Sequence, residues 1–175
     1  MLSGDRRRQL SDEETRQLSD EGRGKQKGEP MISTKGRYAL RVMLDLADQP
    51  ADEPVKLKDV ADRQHISVKY LEQIIAVLNK SGMVRSIRGP QGGYMLSRKP
   101  ETYTVGSILR LTEGDLAPVS CVSDTFPACE REQQCVTIYV WSKMYDAINE
   151  VIDHITLADL QDLEKEKQGA SDYII

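Results

Sequence analysis

The sequence predicts a mainly α-helical fold that carries one small β-hairpin. Apolar residues recur at helical spacing in several segments that open with Ser or Thr, the side chains that favour helix N-caps. Two short β-prone runs flank the turn-rich segment Arg88-Gly-Pro-Gln-Gly-Gly93. No apolar run approaches the roughly 18–20 residues that cross a bilayer. We therefore expect a globular, cytoplasmic protein with no membrane segment.

The first part of the predicted globular region contains three helices. The first begins at Ser33 or Thr34. Its predicted buried stripe comprises Leu40, Met43, Leu44 and Ala47. A short helix follows at residues 56–63, and Ser67 caps a third helix at residues 68–80. The buried stripe of this third helix comprises Leu71, Ile74, Ile75 and Leu78. Gly82 supplies its stop signal.

Strands at residues 83–87 and 94–96 complete the hairpin, and three helices followed by a hairpin give the order of a winged helix-turn-helix domain. Thr104 caps a further helix at residues 105–111. A longer helix is predicted at residues 137–154. Its apolar stripe comprises Val140, Met144, Ile148, Val151 and Ile155. Thr156 and Asp159 then form a capping box that opens a last helix, which runs to about residue 167.

Charge and composition divide the chain. Residues 1–30 contain a near repeat and few large apolar side chains, so we predict a disordered extension. Residues 31–100, the predicted DNA-binding domain, carry twelve basic and seven acidic side chains. The rest carries five basic and fourteen acidic ones. We divide it into a linker helix and cysteine loop (101–136), a dimerisation helix with a C-terminal helix (137–167) and a tail (168–175).

The polar face of the third helix suits the major groove of DNA. Gln73 has the donor and acceptor pair that recognises adenine, and Glu72 accepts from the cytosine amino group. Further side chains on this helix, at its cap and near the start of the first helix suit phosphate contacts. These are Lys35, Arg37, Ser67, Lys69 and Tyr70. Arg88 lies among small residues at the hairpin tip, a position that suits the minor groove. The alternative is a solvated face on a protein-binding module.

All three cysteines of the chain fall in one polar segment, as Cys121-x7-Cys129-x5-Cys135. Soft thiolates select iron–sulfur clusters, zinc or copper(I). Paired C-x2–4-C spacing, which zinc ribbons generally use, is absent from this segment. Redox switching of the thiols without a metal is a further alternative. The fourth ligand of a metal site is unknown. Candidates include Asp124, Glu130, Glu132, His65 and His154.

Three ordered motifs resemble the IscR-type family of bacterial winged-helix regulators. They are Met31-Ile-Ser-Thr-Lys-Gly-Arg-Tyr-Ala-Leu40, Ile66-Ser-Val-Lys-Tyr-Leu-Glu-Gln73 and Ser86-Ile-Arg-Gly-Pro-Gln-Gly-Gly-Tyr94. The similarity extends to about residue 163. It implies a homodimer built on the long helix and bound to pseudo-palindromic promoter DNA. It also implies base reading by Tyr70, Glu72 and Gln73, and minor-groove contact by Arg88.

The resemblance also implies an iron–sulfur cluster, [2Fe–2S] or [4Fe–4S], on the three cysteines. Some relatives take a histidine as fourth ligand where this sequence has Ile138. Others take an acidic residue of the partner subunit, and Tyr38 stands at the matching position. These two departures leave the fourth ligand unassigned.

We therefore expect a dimeric regulator that senses cluster, iron or redox status, and that is not an enzyme. The alternative is a resemblance to cysteine-metabolism repressors, which would act through a partner enzyme or through thiol oxidation without a cluster.

Overall fold

A computed structural model describes residues 31–123, 125 and 129–171. The predicted extension at residues 1–30 and the end of the predicted tail, residues 172–175, lie outside this part. The described elements are α1 (Thr34–Ala47), α2 (Leu57–Gln64), α3 (Val68–Lys80), β1 (Val84–Ile87), β2 (Gly93–Leu96), α4 (Val105–Glu113), α5 (Ile138–His154) and α6 (Leu157–Ser171). Short 3-10 turns occupy Pro100–Thr102, Ser120–Val122 and Glu132–Gln134. The predicted mainly helical fold with one hairpin is confirmed.

The helices begin where capping side chains satisfy their free backbone N–H groups. The Ser33 hydroxyl accepts from two N–H groups at the start of α1, at 3.1 and 3.3 Å. Ser67 caps α3 and Thr104 caps α4 in the same way. The predicted capping box is present before α6: the Asp159 carboxylate accepts from the Thr156 N–H at 2.8 Å, and the Thr156 hydroxyl accepts from the Asp159 N–H.

The β-hairpin is antiparallel, with Val84 opposite Leu96 and Ile87 opposite Gly93. A single residue of the α1–α2 loop, Val55, pairs with Tyr94 through two backbone hydrogen bonds of 2.9 and 2.8 Å. Gly93 allows this approach, because a Cβ at that position would lie 2.3 Å from the carbonyl oxygen of Val55. We call the hairpin and its tip the wing. Its root is thereby fixed to the loop that follows α1.

Helix α1 lies at the centre of the fold, but its predicted stripe is partly wrong. The residues of α1 that are buried are Gly36, Ala39, Val42, Met43, Asp45 and Leu46. Leu40, Leu44 and Ala47 are only half-buried. The reason is that α1 packs against α4 and α6 as well as α2 and α3, so more than one of its faces is covered. Simple spacing then misses the buried Val42 and Leu46.

One apolar core joins early and late parts of the chain. The predicted stripe of α3 is buried as expected and packs with residues of α1. Tyr103, Ile108 and Leu157 belong to the same cluster and are fully buried. The Tyr103 hydroxyl donates to the Met83 carbonyl at 2.8 Å and accepts from the Arg98 N–H at 2.8 Å. The Tyr103 ring is therefore packed in the core while its hydroxyl makes two hydrogen bonds.

Helix α5 differs from the other long helices. Within the described part of the chain, none of its 17 residues is buried. Its C-terminal end is fixed to the start of α4, because the Val105 N–H donates to the Ile155 carbonyl at 2.8 Å. No helix in the described ranges has the length and apolar content to cross a membrane.

Candidate DNA-reading and cysteine sites

Helix α3 presents the polar face that the sequence predicts for DNA contact. The side chains of Ser67, Lys69, Glu72 and Gln73 are exposed, while the opposite face of the helix is in the core. The turn before α3 is fixed by His65, which adopts a left-handed conformation with φ of 54°. The reading face is therefore held on a rigid support. The base-reading roles of these residues stay predictions.

Tyr70 is half-buried and makes specific contacts within the domain. Its ring meets that of Tyr38 edge to face, with centroids 5.8 Å apart. The Arg41 guanidinium lies over the Tyr38 ring at 5.4 Å and donates to the Gln64 carbonyl at 2.6 Å. The Tyr70 ring is thus oriented by α1, and its contact with DNA stays a prediction. In the sequence, the contact between Tyr38 and Arg41 was indicated only by their i, i+3 spacing on α1.

A carboxylate that sequence reasoning missed fixes α2 on α1. Asp45 is 5% exposed and accepts from Arg63 at 2.6 and 3.0 Å and from Gln64 at 2.8 Å. This hydrogen-bonded pair raises the pKa of the Arg63 guanidinium, against a smaller effect of burial. Because α2 precedes the reading helix, Asp45 sets the geometry of the helix-turn-helix. The only indication of this buried ion pair in the sequence was a single Asp within an apolar helical pattern.

The other predicted DNA contacts lie at the start of α1 and on the wing. Lys35 is half-buried, and Arg37 is exposed and donates to the Thr34 hydroxyl at 3.1 Å. Arg88 is exposed at the tip of the wing, next to Gly89 with φ of 116°. Only glycine adopts this backbone conformation without strain. The tip therefore presents Arg88 on a sharp turn.

The three cysteines lie in the cysteine loop, which we define as residues 114–137, between α4 and α5. Cys121 and Cys135 are half-buried and Cys129 is exposed, and all three are free thiols. Among the described residues no group of three or more His, Cys, Asp or Glu side chains converges to hold a metal ion. Glu130 and Glu132 are exposed in the same loop. The shared metal site stays a prediction.

Among the described residues, neither His65 nor His154 contacts the cysteine loop in this structure. The His154 ring nitrogen Nδ1 lies 2.8 Å from the Glu150 carbonyl at the end of α5. His65 is in the turn before α3, and Asp124 lies outside the described residues. Ile138 is the first residue of α5, and Tyr38 packs on Tyr70. The described residues therefore provide no fourth ligand, and its identity stays open.

The Cys135 thiol has a local environment that favours its thiolate. Its sulfur lies 3.1 Å from the Thr137 hydroxyl, and the Ile138 N–H also points to it. These hydrogen bonds lower the pKa of Cys135. A thiolate is the form that binds metals and reacts with oxidants. The surroundings of Cys135 therefore suit either chemistry.

Asp115 connects the cysteine loop to α5. Its carboxylate accepts from the Ser123 hydroxyl, from the Ala117 N–H at 2.9 Å and from the Tyr145 hydroxyl at 3.1 Å. Burial opposes ionisation of this group, but the hydrogen bonds outweigh it and lower the pKa of Asp115. Burial and the neighbouring carboxylate raise the pKa of Tyr145. A loop that bears Cys121 is thus joined to the middle of the long helix.

Helix α4 makes two further polar connections. Arg110 donates to both carboxylate oxygens of Asp153, at 2.5 and 2.9 Å, and to the Asn149 side chain at 2.6 Å. This pairing lowers the pKa of Asp153 and raises that of Arg110. Glu113 accepts from the N–H and the hydroxyl of Ser33, at 3.1 and 2.6 Å. Helix α4 therefore links α5 to the start of the DNA-reading domain.

The model of the Rrf2 family, described as "Iron-dependent Transcriptional regulator", matches residues 32–163. The chain belongs to the Rrf2 family. The HTH-type transcriptional regulator CymR of Bacillus subtilis is 41% identical over 79% of this chain and 95% of its own length. IscR of Erwinia tasmaniensis is 36% identical over 74% of this chain and 77% of its own length. The predicted family resemblance is confirmed.

Solved structures of Rrf2 relatives agree with the fold. The structure of T. potens IscR has a TM-score of 0.65 at 44% identity and covers 78% of this chain and 90% of that one. An oxidized form of Staphylococcus aureus CymR has a TM-score of 0.60 at 36% identity, with 74% and 94% covered. This Rrf2 protein is therefore a transcriptional regulator of a DNA-binding family. Relatives of both names are similar to it, so the comparisons do not separate cluster sensing from cysteine regulation.

Proposed function

We propose that this Rrf2 protein is a homodimeric regulator that senses iron–sulfur cluster, iron or redox status through Cys121, Cys129 and Cys135. One observation carries the proposal: every cysteine of the chain lies in the loop between α4 and α5, and all three are free. That loop is hydrogen-bonded to α5 through Asp115. A chemical change at the thiols therefore acts on the helix that we assign to dimerisation.

The DNA-binding half of the proposal rests on exposure and chemistry. Gln73 and Glu72 read base edges in the major groove, and Arg88 enters the minor groove. Lys35, Arg37, Ser67, Lys69 and Tyr70 contact phosphates or orient the readers. The exposed positions of most of these side chains and the basic charge of residues 31–100 support this assignment. The target is double-stranded promoter DNA.

The dimer half rests on the apolar surface of α5. Large apolar side chains of this helix are strongly exposed in the single chain: Tyr139 is 69% exposed, Val151 56%, Val140 49% and Met144 45%. Val140, Met144 and Val151 share one side of the helix by their spacing, and a monomeric protein seldom leaves such an apolar stripe uncovered. A second copy of α5 would cover it and would set the distance between two reading helices. Two reading helices match a pseudo-palindromic site.

Three thiols are a donor set of the right softness for iron. The described residues do not bring them together, so binding of a cluster would reorganise the loop. Cys121, Cys129 and Cys135 would hold it, with a fourth ligand unassigned, and the cluster would supply a redox-active centre. Residues of the chain itself connect the loop to the long helix. Asp115 holds the loop to Tyr145, and Arg110 holds α4 to α5, so loop order is coupled to the orientation of the dimer helix.

A second candidate function is regulation by cysteine metabolism, through thiol oxidation without a cluster or through a protein partner. The exposure of Cys129 and the lowered pKa of Cys135 favour it, because an accessible thiolate is readily oxidised. The similarity to CymR over nearly the whole length of that relative supports it as well.

The deciding experiment is iron and sulfide analysis with visible spectroscopy on protein purified without oxygen. The wild type, Cys129→Ala and the loop control Ser120→Ala are compared, and promoter binding is measured with and without the cofactor. The proposal expects iron and sulfide in the wild type and the control, their loss in Cys129→Ala, and different DNA affinities of the two forms. A metal-free wild type whose DNA affinity changes on mild peroxide treatment would support the second candidate. DNA affinity that responds to neither treatment would contradict cluster sensing and thiol oxidation, and would leave the protein partner as the remaining form of the second candidate.

A further inference from the structure

A cavity of about 270 Å³ lies at the root of the wing, on the side of the domain where α1 ends. It is bounded by the end of α1, the loop after it, the hairpin and the segment that leads to the first 3-10 turn. None of the three cysteines lines it. The proposed sulfur function therefore does not explain this cavity.

The floor of the cavity is apolar and is formed by Met95 and Leu46. Met95 is 5% exposed, yet it belongs to neither of the two apolar core clusters in the described part of the chain. Leu46, also 5% exposed, lines the cavity beside it. The buried side of Met95 is thus turned to the cavity region instead of the main core. An apolar floor of this kind favours a ligand with an apolar part.

The rim of the cavity is cationic. Arg85 stands opposite Met95 in the hairpin register, so the two side chains are on one face. Arg98 and Lys99 line the cavity from the segment after β2. The Arg98 guanidinium is held over the Tyr103 ring at 4.7 Å. Neither Arg85 nor Lys99 forms an ion pair with another described residue. Three positive groups around an apolar floor leave an uncompensated charge that attracts an anion.

We propose that this cavity binds a small organic anion, a carboxylate with a short apolar chain. The carboxylate would pair with Arg85 and Lys99, and the chain would lie on Met95 and Leu46. Pockets for drug-sized ligands range upward from about 300 Å³, so a cavity of about 270 Å³ fits a smaller molecule. Arginine offers a planar pair of donors that matches a carboxylate. The site is independent of the thiols and goes beyond the proposed function.

The position of the cavity gives its ligand access to the wing. The Val55–Tyr94 bonds fix the loop beside the cavity to β2, and Arg85 belongs to β1. A ligand between these parts contacts both the support of the wing and the wing itself. The competing explanation is that Arg85 and Lys99 contact DNA phosphates and that the cavity has no ligand of its own.

The test uses the full chain with methionine methyl groups labelled with ¹³C, and sodium hexanoate as the probe. Hexanamide, which has the same chain without the charge, is the comparison ligand, and Met95→Leu assigns the Met95 signal. We expect hexanoate to shift that signal to saturation and hexanamide to bind at least about tenfold more weakly, since the loss of one charge-assisted pairing costs roughly 1.4 kcal/mol or more.

Arg85→Gln, Lys99→Gln and the double variant should each weaken hexanoate binding, whereas Lys80→Gln, an exposed lysine elsewhere in the domain, should leave it unchanged. Circular dichroism confirms that each variant is folded. Absence of a saturable shift of the Met95 signal overturns the proposal, as does equal binding of hexanamide. Variants that lose DNA affinity but bind hexanoate like the wild type would assign the two cations to phosphate contacts, which also overturns it.

Discussion

Helices α3 and α5 are both amphipathic, but the apolar face of α3 is buried and that of α5 is not. In α3, Leu71, Ile74, Ile75 and Leu78 are buried against the rest of the domain. In α5 the described residues include no buried side chain, although the helix is longer. The reading helix is therefore completed by its own chain. The apolar surface of α5 stays exposed in the single chain, which supports the proposal that a second copy covers it.

The contacts that hold the two helices differ in kind. Helix α3 is held by apolar packing, which resists small displacements because the interior is densely packed. Helix α5 packs only one described residue, Ile152 near its end, on the apolar cluster of α4 and the loop. It is otherwise joined to them by the hydrogen bonds of Asp115 and Arg110. Such directional contacts can exchange partners when the loop changes. This difference supports the proposal that a change in the loop acts on α5 rather than on α3.

The largest expected effect comes from a variant that disrupts the apolar surface of α5. A Val140→Glu, Met144→Glu double variant places two charges on the exposed apolar face, and we expect a monomer by light scattering. Affinity for a two-half-site promoter should fall about 100-fold or more, because linked binding of the second half-site is lost.

Asp146→Asn, an exposed substitution on the same helix, is the control and should remain dimeric with wild-type affinity. A double variant that stays dimeric would mean that another surface joins the two copies, and the contrast between α3 and α5 would lose its explanation.

The second effect concerns the rigidity of the reading half. Asp45→Ala leaves Arg63 without its partner and should lower the free energy of unfolding by about 2–3 kcal/mol. This is less than the roughly 3–5 kcal/mol for breaking a fully buried pair, because the Arg63 side chain is 40% exposed. Urea denaturation measures this change. Asp62→Ala, an exposed neighbour on α2, should change stability little. A similar loss in both variants would contradict the special role of Asp45.

A smaller effect separates base reading from general binding. Gln73→Ala should weaken binding to a specific promoter about tenfold, within the roughly 1–3 kcal/mol of a bidentate base contact, and should leave affinity for unrelated DNA unchanged. Lys69→Ala should instead weaken binding to both DNAs and reduce the salt dependence of affinity. Titrations at two salt concentrations distinguish the two patterns. Equal loss on both DNAs in Gln73→Ala would remove its base-reading role.

The smallest effect is the pH dependence of the α5 connections. The pKa values of Asp115 and Asp153 are lowered in the folded protein below their ordinary value of 3.8. Their contribution to stability is therefore complete above that value and is lost as the pH falls through the folded pKa. The difference in melting temperature between the wild type and Asp115→Asn should be constant near neutral pH and should shrink in acid. A difference that grows in acid would have the wrong sign.

The sequence predicts the reading half well because its signals are local. Ser67 as cap, a stripe with one clear face and Gly82 as stop define α3 to the residue. The stripe of α1 is misplaced because a central helix is covered on several sides. The connections made by Asp115 and Arg110 could not be predicted, since they join residues 30 and 43 positions apart. The arrangement of the thiols depends on loop geometry that spacing alone does not fix.

Leu157 lies near the end of the described chain, yet it is fully buried in the core that also contains Ala39 and Leu71. During translation the first helices emerge long before this side chain is made. During synthesis, the DNA-binding domain therefore exposes part of its apolar core until Leu157 has been added to the chain. A fragment that stops at residue 100 should be prone to aggregation and chaperone capture, and regulatory activity should appear only when synthesis has passed α6.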